Sequence, residues 1–155
     1  MPQSPKELIQ LALEVASLES ARDLPVAAII TSSSGSVIAF SRNAVVQRDE
    51  HTAHAEMLAI AGLDLKTLKR DAEHMTISVT LEPCPMCAWA IRSAGIGRLV
   101  FGAYNAQYGA AGSVYDLLRD GRHGRSVEVI GGVLEEKCQQ LLGDAFSDIR
   151  NNGFR

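Results

Sequence analysis

Two short segments carry the residue types that do chemistry. His54-Ala55-Glu56 offers an imidazole and, two positions on, a carboxylate. Pro83-Cys84-Pro85-Met86-Cys87 offers two thiols at C-x-x-C spacing. Thiolates at that spacing close on one metal ion from a single turn of chain, and an imidazole adds a third ligand. Three protein ligands leave the fourth position of a tetrahedral zinc open to water, which is the arrangement of a catalytic site. Water bound there is acidified from a pKa of about 15.7 towards about 7, which yields a hydroxide nucleophile. Glu56 is the carboxylate left over, placed to move protons to and from that water. The sequence therefore predicts one Zn²⁺ per subunit on His54, Cys84 and Cys87, with Glu56 as the catalytic residue.

Other readings of the same residues are available. His51 lies three positions before His54, but only His54 has a carboxylate two residues on. A C-x-x-C by itself also fits a redox pair or half of a structural zinc site. A structural site needs a fourth ligand. Cys138 falls on the apolar face of the predicted last helix, where it reads as a small core residue. A structural site would also leave Glu56 without a task. His74 and His123 have no comparable partner and read as surface residues.

The elements that hold these segments follow from local pattern. Ser4-Pro5-Lys6-Glu7 is a capping box with proline at the first helical position, and Leu8, Leu11, Ala12, Val15 and Leu18 continue at helical spacing; the first helix is expected from Pro5 to Arg22. Pro25 to Thr31 and Val37 to Phe40 flank the turn Ser32-Ser33-Ser34-Gly35 and predict a β-hairpin. Thr52 is the expected cap of a second helix ending at Gly62. Residues 63–73 read as a polar connection that has room for a short helical turn. Thr76 to Leu81 is rich in β-branched residues and predicts a strand. Cys84 opens a third helix with Pro85 at its first position and Gly95 past its end. Leu99 to Phe101 predicts a strand, residues 102–112 an irregular loop, Ser113 to Arg119 a short helix, Val127 to Ile130 a strand, and Leu134 to about Arg150 a final helix. A hairpin followed by alternating helices and strands implies a mixed sheet with helices on both faces. Both chemical segments then fall at helix N-termini, where free N–H groups and the helix dipole favour thiolate and hydroxide.

Composition narrows the setting. The 155 residues are 46% hydrophobic and 21% charged, ordinary for a single globular domain, 1–155. Three cysteines, two of them in the C-x-x-C, read as metal chemistry in a reducing compartment and not as a disulfide framework. No apolar run approaches the roughly 18–20 residues of a membrane span, and the N-terminus lacks a signal-peptide segment, so a cytoplasmic enzyme is expected. A net charge of −3 argues against coating nucleic acid over the whole surface.

The pairing of H-x-E with P-C-x-x-C is the signature of zinc nucleobase deaminases. Over nearly its whole length the chain resembles the bacterial tRNA-specific adenosine deaminases within that superfamily. The segments that carry the resemblance are Thr52 to Met57, Thr80 to Cys87, and Val100-Phe101-Gly102-Ala103 followed by Gly109-Ala110-Ala111-Gly112-Ser113. The first two are shared with many cytidine and guanine deaminases; the third resembles the tRNA enzymes in particular. The resemblance implies a three-layer α/β/α cytidine-deaminase-like fold with a five-stranded mixed sheet. It implies hydrolysis of adenosine to inosine at the wobble position of a tRNA anticodon, with the anticodon stem-loop as partner, a homodimer, no membrane and no organic cofactor. It assigns substrate contacts to Asn43, to Ala55 and Glu82 through their backbone, and to Phe146. Asn43 also suits a turn, and Phe146 also suits core packing.

The chain departs from the family pattern at three places. Ala27 stands in the first strand where glycine is common. Asn105 stands where an Asp usually accepts a bond from a ribose hydroxyl, which predicts an altered RNA-versus-DNA preference. The last helix is less basic than usual, which leaves Arg119, Arg122 and Arg125 as candidate RNA contacts or as a solvated charge run. Two other functions compete: a deaminase of a free base or nucleoside, of guanine or cytidine type, and a catalytically silent zinc-stabilised binding subunit. Such silent subunits typically lose the carboxylate that Glu56 retains.

Overall fold

The Ser4–Glu7 pattern folds as a capping box: Glu7 N–H donates to Ser4 Oγ at 3.3 Å and Ser4 N–H donates to Glu7 Oε2 at 2.7 Å. In the computed structural model, residues 3–18 and 22–152 are described, the side chains of 149–152 excepted. Helix α1 runs over Pro5–Ala16, shorter than the periodicity predicts. Part of the expected extension, 19–21, lies outside the described residues, and Arg22 itself is in a bend.

Strands β1 (Ala27–Thr31) and β2 (Val37–Arg42) form the expected antiparallel hairpin. Three short helices follow: α2 (Val45–Arg48), α3 (Ala55–Ala61) and α4 (Leu65–Asp71). Then come β3 (Thr76–Leu81), α5 (Pro85–Ala94), β4 (Arg98–Ala103), β5 (Glu128–Ile130) and α6 (Glu135–Asn152). The sheet order is β2-β1-β3-β4-β5. The β1–β3 pair is antiparallel, whereas β3–β4 and β4–β5 are parallel. This is the five-stranded mixed sheet expected above.

Strand register sorts the helices into layers. Ile29 pairs with Phe40 and with Ser78, and Ile29 borders α1 through a shallow groove that it shares with Leu11 and Val15. Cys138 of α6 sits over Gly102, which is in phase with Val100, the partner of Ser78. Helices α1 and α6 therefore cover one face. On the other, Ala39 pairs with Ile30 and faces the end of α3, which in turn packs against α5. Ile9, Ile29, Ile30, Ile77, Leu99 and Phe101 are fully buried between these layers. The three-layer α/β/α reading holds, and Cys138, 1% exposed, is a core residue.

Two local expectations fail for identifiable reasons. His54, not Thr52, is the N-cap of α3. And 113–119 is not helical. The groups that such a helix would pair internally are engaged elsewhere: Leu117 N–H donates to Ala110 O at 3.1 Å, and Tyr115 O accepts from Gly112 N–H at 2.8 Å. Ser113 N–H donates to Glu82, and the Arg92 guanidinium collects the carbonyls of Leu117 and Leu118 along with those of Gly124 and Arg125. The segment folds back instead, with Ala111 bridged to Asp116.

Candidate active site

Both ligand segments enter the site as helix N-caps. His54 caps α3 and Cys84 caps α5, each with extended backbone and neither side chain spent on capping. Pro85 starts α5 without an N–H to satisfy, and Gly95 ends it in the left-handed region at φ +81°. Cys87 falls one turn inside α5 and is fully buried. Helices α3 and α5 pack together on the same face of the sheet, so a residue near 54 meets two near 84.

The three ligand atoms converge. His54 Nδ1 lies 3.6 Å from Cys84 Sγ and 3.5 Å from Cys87 Sγ, and all three atoms are within 4.8 Å of one another. Zinc bonds of about 2.3 Å to sulfur and about 2.0–2.1 Å to nitrogen, meeting at the tetrahedral angle, place N and S about 3.5 Å apart. The donor set fits zinc in type and in spacing. His51 is exposed and outside the cluster.

The protein groups alone already divide their protons unevenly. The Cys87 thiol donates towards Cys84, which pushes the Cys84 thiol down to about 4. The same interaction, with burial, pushes Cys87 up. His54 is raised, first by its hydrogen bond to Cys84. Glu56 is 4% exposed, and burial pushes its carboxyl up to about 7. A cation replaces the protons held between the sulfurs and pulls these groups towards their deprotonated forms.

The ligands open onto a cavity of about 950 Å³. That is near the upper end of the ~300–1,000 Å³ usual for small-molecule sites, with room beyond one base. Its floor is His54, Ala55, Glu56 and Cys84; its walls include Asn43, Glu82, Asn105 and Phe146. Phe146 is 50% exposed, so it is not packed in the core. Cys87 lies behind the floor. Arg22, Asp23, Val45, Val46 and Tyr108 also line the cavity and have no sequence signal of their own. Arg22 and Asp23 fall at the end of the stretch where a helix tail is expected, and α2 is too short for periodicity to reveal.

Asp23, 7% exposed, holds α2 in place: its two oxygens accept from Val46 N–H at 2.8 Å and Gln47 N–H at 3.0 Å. The N-cap of that helix, Ala44, has no side chain able to do this. Asp23→Ala is expected to cost about 1 kcal/mol, the usual loss for a removed cap. A urea midpoint matching that of the unmodified protein would show the bonds to be idle.

Each arginine of the 119–125 run has a partner within the protein. Arg119 donates to Ala111 O and Asp116, Arg122 pairs with Asp120, and Arg125 with Glu73. Among the described residues, the cation that lines the cavity is Arg22.

Residues 2–103 match the model of the cytidine and deoxycytidylate deaminase zinc-binding region, well over half the chain. The chain belongs to this zinc deaminase family. The deaminase is 37% identical to the tRNA-specific adenosine deaminase of Bacillus subtilis over 139 residues, 88% of this chain and 84% of that one. Among solved structures, it is similar to one from a study of A-to-I editing by tRNA:A34 deaminases at the wobble position. There the TM-score is 0.77 with 32% identity, over 88% of this chain and 99% of that one. It is also similar to a guanine deaminase from Nitrosomonas europaea, with TM-score 0.75 and 26% identity over 95% of this chain and 88% of that one. As a member of the family it is a zinc-dependent hydrolytic deaminase. Among the described residues no helix is long and apolar enough to cross a membrane.

Proposed function

We propose that this deaminase converts adenosine to inosine at the wobble position of a tRNA anticodon. The observation that carries the reading is the reach of the likeness to the Bacillus subtilis tRNA-specific adenosine deaminase. A match over 88% of the chain cannot fit within residues 2–103, so it extends past the zinc segments through the loop after β4. That loop supplies Asn105 and Tyr108 to the cavity wall.

His54, Cys84 and Cys87 would hold the zinc, which would supply an acidified water as nucleophile. Glu56 takes up a proton from the water that adds to the carbon bearing the exocyclic amine. It passes a proton to the ring nitrogen and then assists the amine to leave as ammonia. Adenosine and water are consumed; inosine and ammonia are released. The base must leave its stack to enter the cavity. Asn43 and the backbone at Ala55 and Glu82 hold its polar edge, Phe146 offers an aromatic face, and Arg22 faces the phosphates. The protein acts as a cytoplasmic homodimer in this proposal, and sedimentation velocity reads the dimer as twice the chain mass.

The zinc-loaded protein is incubated with an adenosine-containing anticodon stem-loop, free adenosine, cytidine and guanine, and ammonia is measured. Inosine from the stem-loop alone is the expected result. Ammonia from guanine alone would favour the second reading, a free-base deaminase, which the likeness to the Nitrosomonas europaea enzyme keeps in play. No ammonia from any of the four would point to a silent binding subunit.

Asn105 sets a further expectation. Its Oδ1 already accepts from Gln107 N–H at 3.3 Å and Tyr108 N–H at 3.0 Å, so it is the amide N–H₂ that it offers a substrate. Asn105→Asp replaces that donor with an acceptor for a ribose hydroxyl. The RNA-over-DNA turnover ratio on matched hairpins is expected to rise roughly three- to tenfold, the value of one hydrogen bond. Equal ratios in the two proteins would remove Asn105 from sugar discrimination.

A further inference from the structure

The 105–113 loop after β4 contains no helix or strand, only turns and one isolated bridge at Ala111, yet its shape is fixed. It wraps around one buried side chain. Glu82, 1% exposed, stands just past β3 and two residues before Cys84, with its N–H tied to Ala103 O at 2.8 Å. Its carboxyl group turns into the loop and accepts four donors. Oε1 takes Asn105 N–H at 3.3 Å and the Ser113 hydroxyl; Oε2 takes Ala111 N–H and Ser113 N–H, each at 3.1 Å. Gly109 closes the turn where there is no room for a side chain: a Cβ there would overlap Glu82 Oε2 and lie 2.5 Å from Asn105 O. Pro83 O adds a bond from Ala110 N–H at 2.8 Å. The turn that carries the metal-binding thiols and the wall that carries Asn105 and Tyr108 are thus joined through one residue.

We infer that Glu82 is a positioning residue whose carboxyl group, and not its backbone alone, sets the 105–113 loop against the cavity and so governs substrate binding. The substrate half of this inference rests on the tRNA reading above; the loop half does not. Glu82→Gln is the discriminating change because it keeps size and shape but replaces one acceptor oxygen with an N–H₂ group. The Ser113 hydroxyl can turn round and accept from that group, whereas the Ala111 and Ser113 amides cannot. The new N–H₂ therefore settles at the Oε1 position, and the bond lost is the one to Asn105 N–H.

Two readouts follow, with zinc content measured alongside. In Glu82→Gln, amide exchange at Asn105, followed by NMR, is expected to accelerate about tenfold while Ala111 and Ser113 stay protected. The stem-loop KM is expected to rise roughly tenfold, the value of a well-made hydrogen bond, with kcat within about threefold and zinc stoichiometry unchanged. Gly109→Ala, which pushes on the same carboxyl group from the loop side, is expected to raise KM as well and to add little on top of Glu82→Gln; it carries the test if Glu82→Gln does not fold. Unchanged exchange at Asn105 overturns the inference, whatever the substrate proves to be. So does unchanged KM in a protein that turns over the stem-loop, and so does loss of zinc, which would make Glu82 a prop of the metal turn. Failure of the unmodified protein on the stem-loop sinks the tRNA reading instead, and Asn105 exchange then decides the positioning role on its own.

Discussion

Glu56→Gln is expected to retain one zinc per chain and to lose turnover by about 10³-fold, within the 10²–10⁴-fold usual for a general acid–base group. The expectation follows from position. Glu56 is in the first turn of α3, two residues from a ligand but not part of the cluster that His54, Cys84 and Cys87 make. It is buried on the cavity floor and, among the described residues, the side chains acting on it are His54, Cys84 and Cys87, with no lysine or arginine, which places its carboxyl group beside the metal cluster for proton transfer. Glutamine fills the same volume, cannot relay protons and leaves the ligand set intact. Glu56→Ala should behave alike, with some stability lost to the cavity it creates. Metal analysis beside single-turnover kinetics checks this: turnover persisting within tenfold in a zinc-replete variant would remove Glu56 from the proton path.

Removing the metal is expected to lower the melting temperature by roughly 10 °C. A site held at about 1,000 times its Kd stabilises by ~4 kcal/mol, and in a protein of this size ~1 kcal/mol moves Tm by about 2–4 °C. The physical reason is that the ligands come from α3 and α5, two short packed helices whose buried residues, such as Ala55, Ala59 and Ala88, are small. Since the Cys87 thiol must lose its proton for zinc to bind, zinc affinity falls as pH is lowered. Cys87→Ser should drop zinc below about a tenth of an ion per chain, and its Tm should no longer respond to a chelator. Scanning calorimetry with and without chelator, followed by zinc addition, measures both effects. A wild-type Tm indifferent to the chelator would show that the site contributes nothing to the fold.

The candidate metal cluster was legible because metal coordination demands particular side chains at particular spacings. His54, Cys84 and Cys87 could be picked out with no knowledge of the sheet, and Ser4 through Glu7 signalled a helix start within four residues. The order of β1, β2, β3 and β4 was legible for a similar reason: β-branched runs between turns are local signals. What stayed hidden was non-local. The helical pattern at 113–119 gives way to a folded-back loop in which Leu117 N–H bonds to Ala110 O and Tyr115 O to Gly112 N–H, while Glu82 and Arg92 hold Ser113 and Leu117 from 31 and 25 positions away. Helix α2 is four residues long and is capped by Asp23 from across the chain, 23 positions back. The expectation that Glu82 acts through its backbone came from resemblance; that its side chain gathers a loop is visible only once the loop is in place.

Asp23 and Glu82 each fasten one wall of the cavity, and neither touches the metal ligands' side chains. The 43–48 segment hangs from the first and the 105–113 loop from the second. The platform and the walls are therefore separable parts of one enzyme. For anyone retargeting this protein, the natural library is the outward-facing positions of those two segments, Val45, Val46, Gln107 and Tyr108 among them, with the two anchoring carboxylates left untouched. Variation there samples new substrates while the reaction itself is inherited unchanged, a route by which one zinc scaffold can diversify without passing through inactive intermediates.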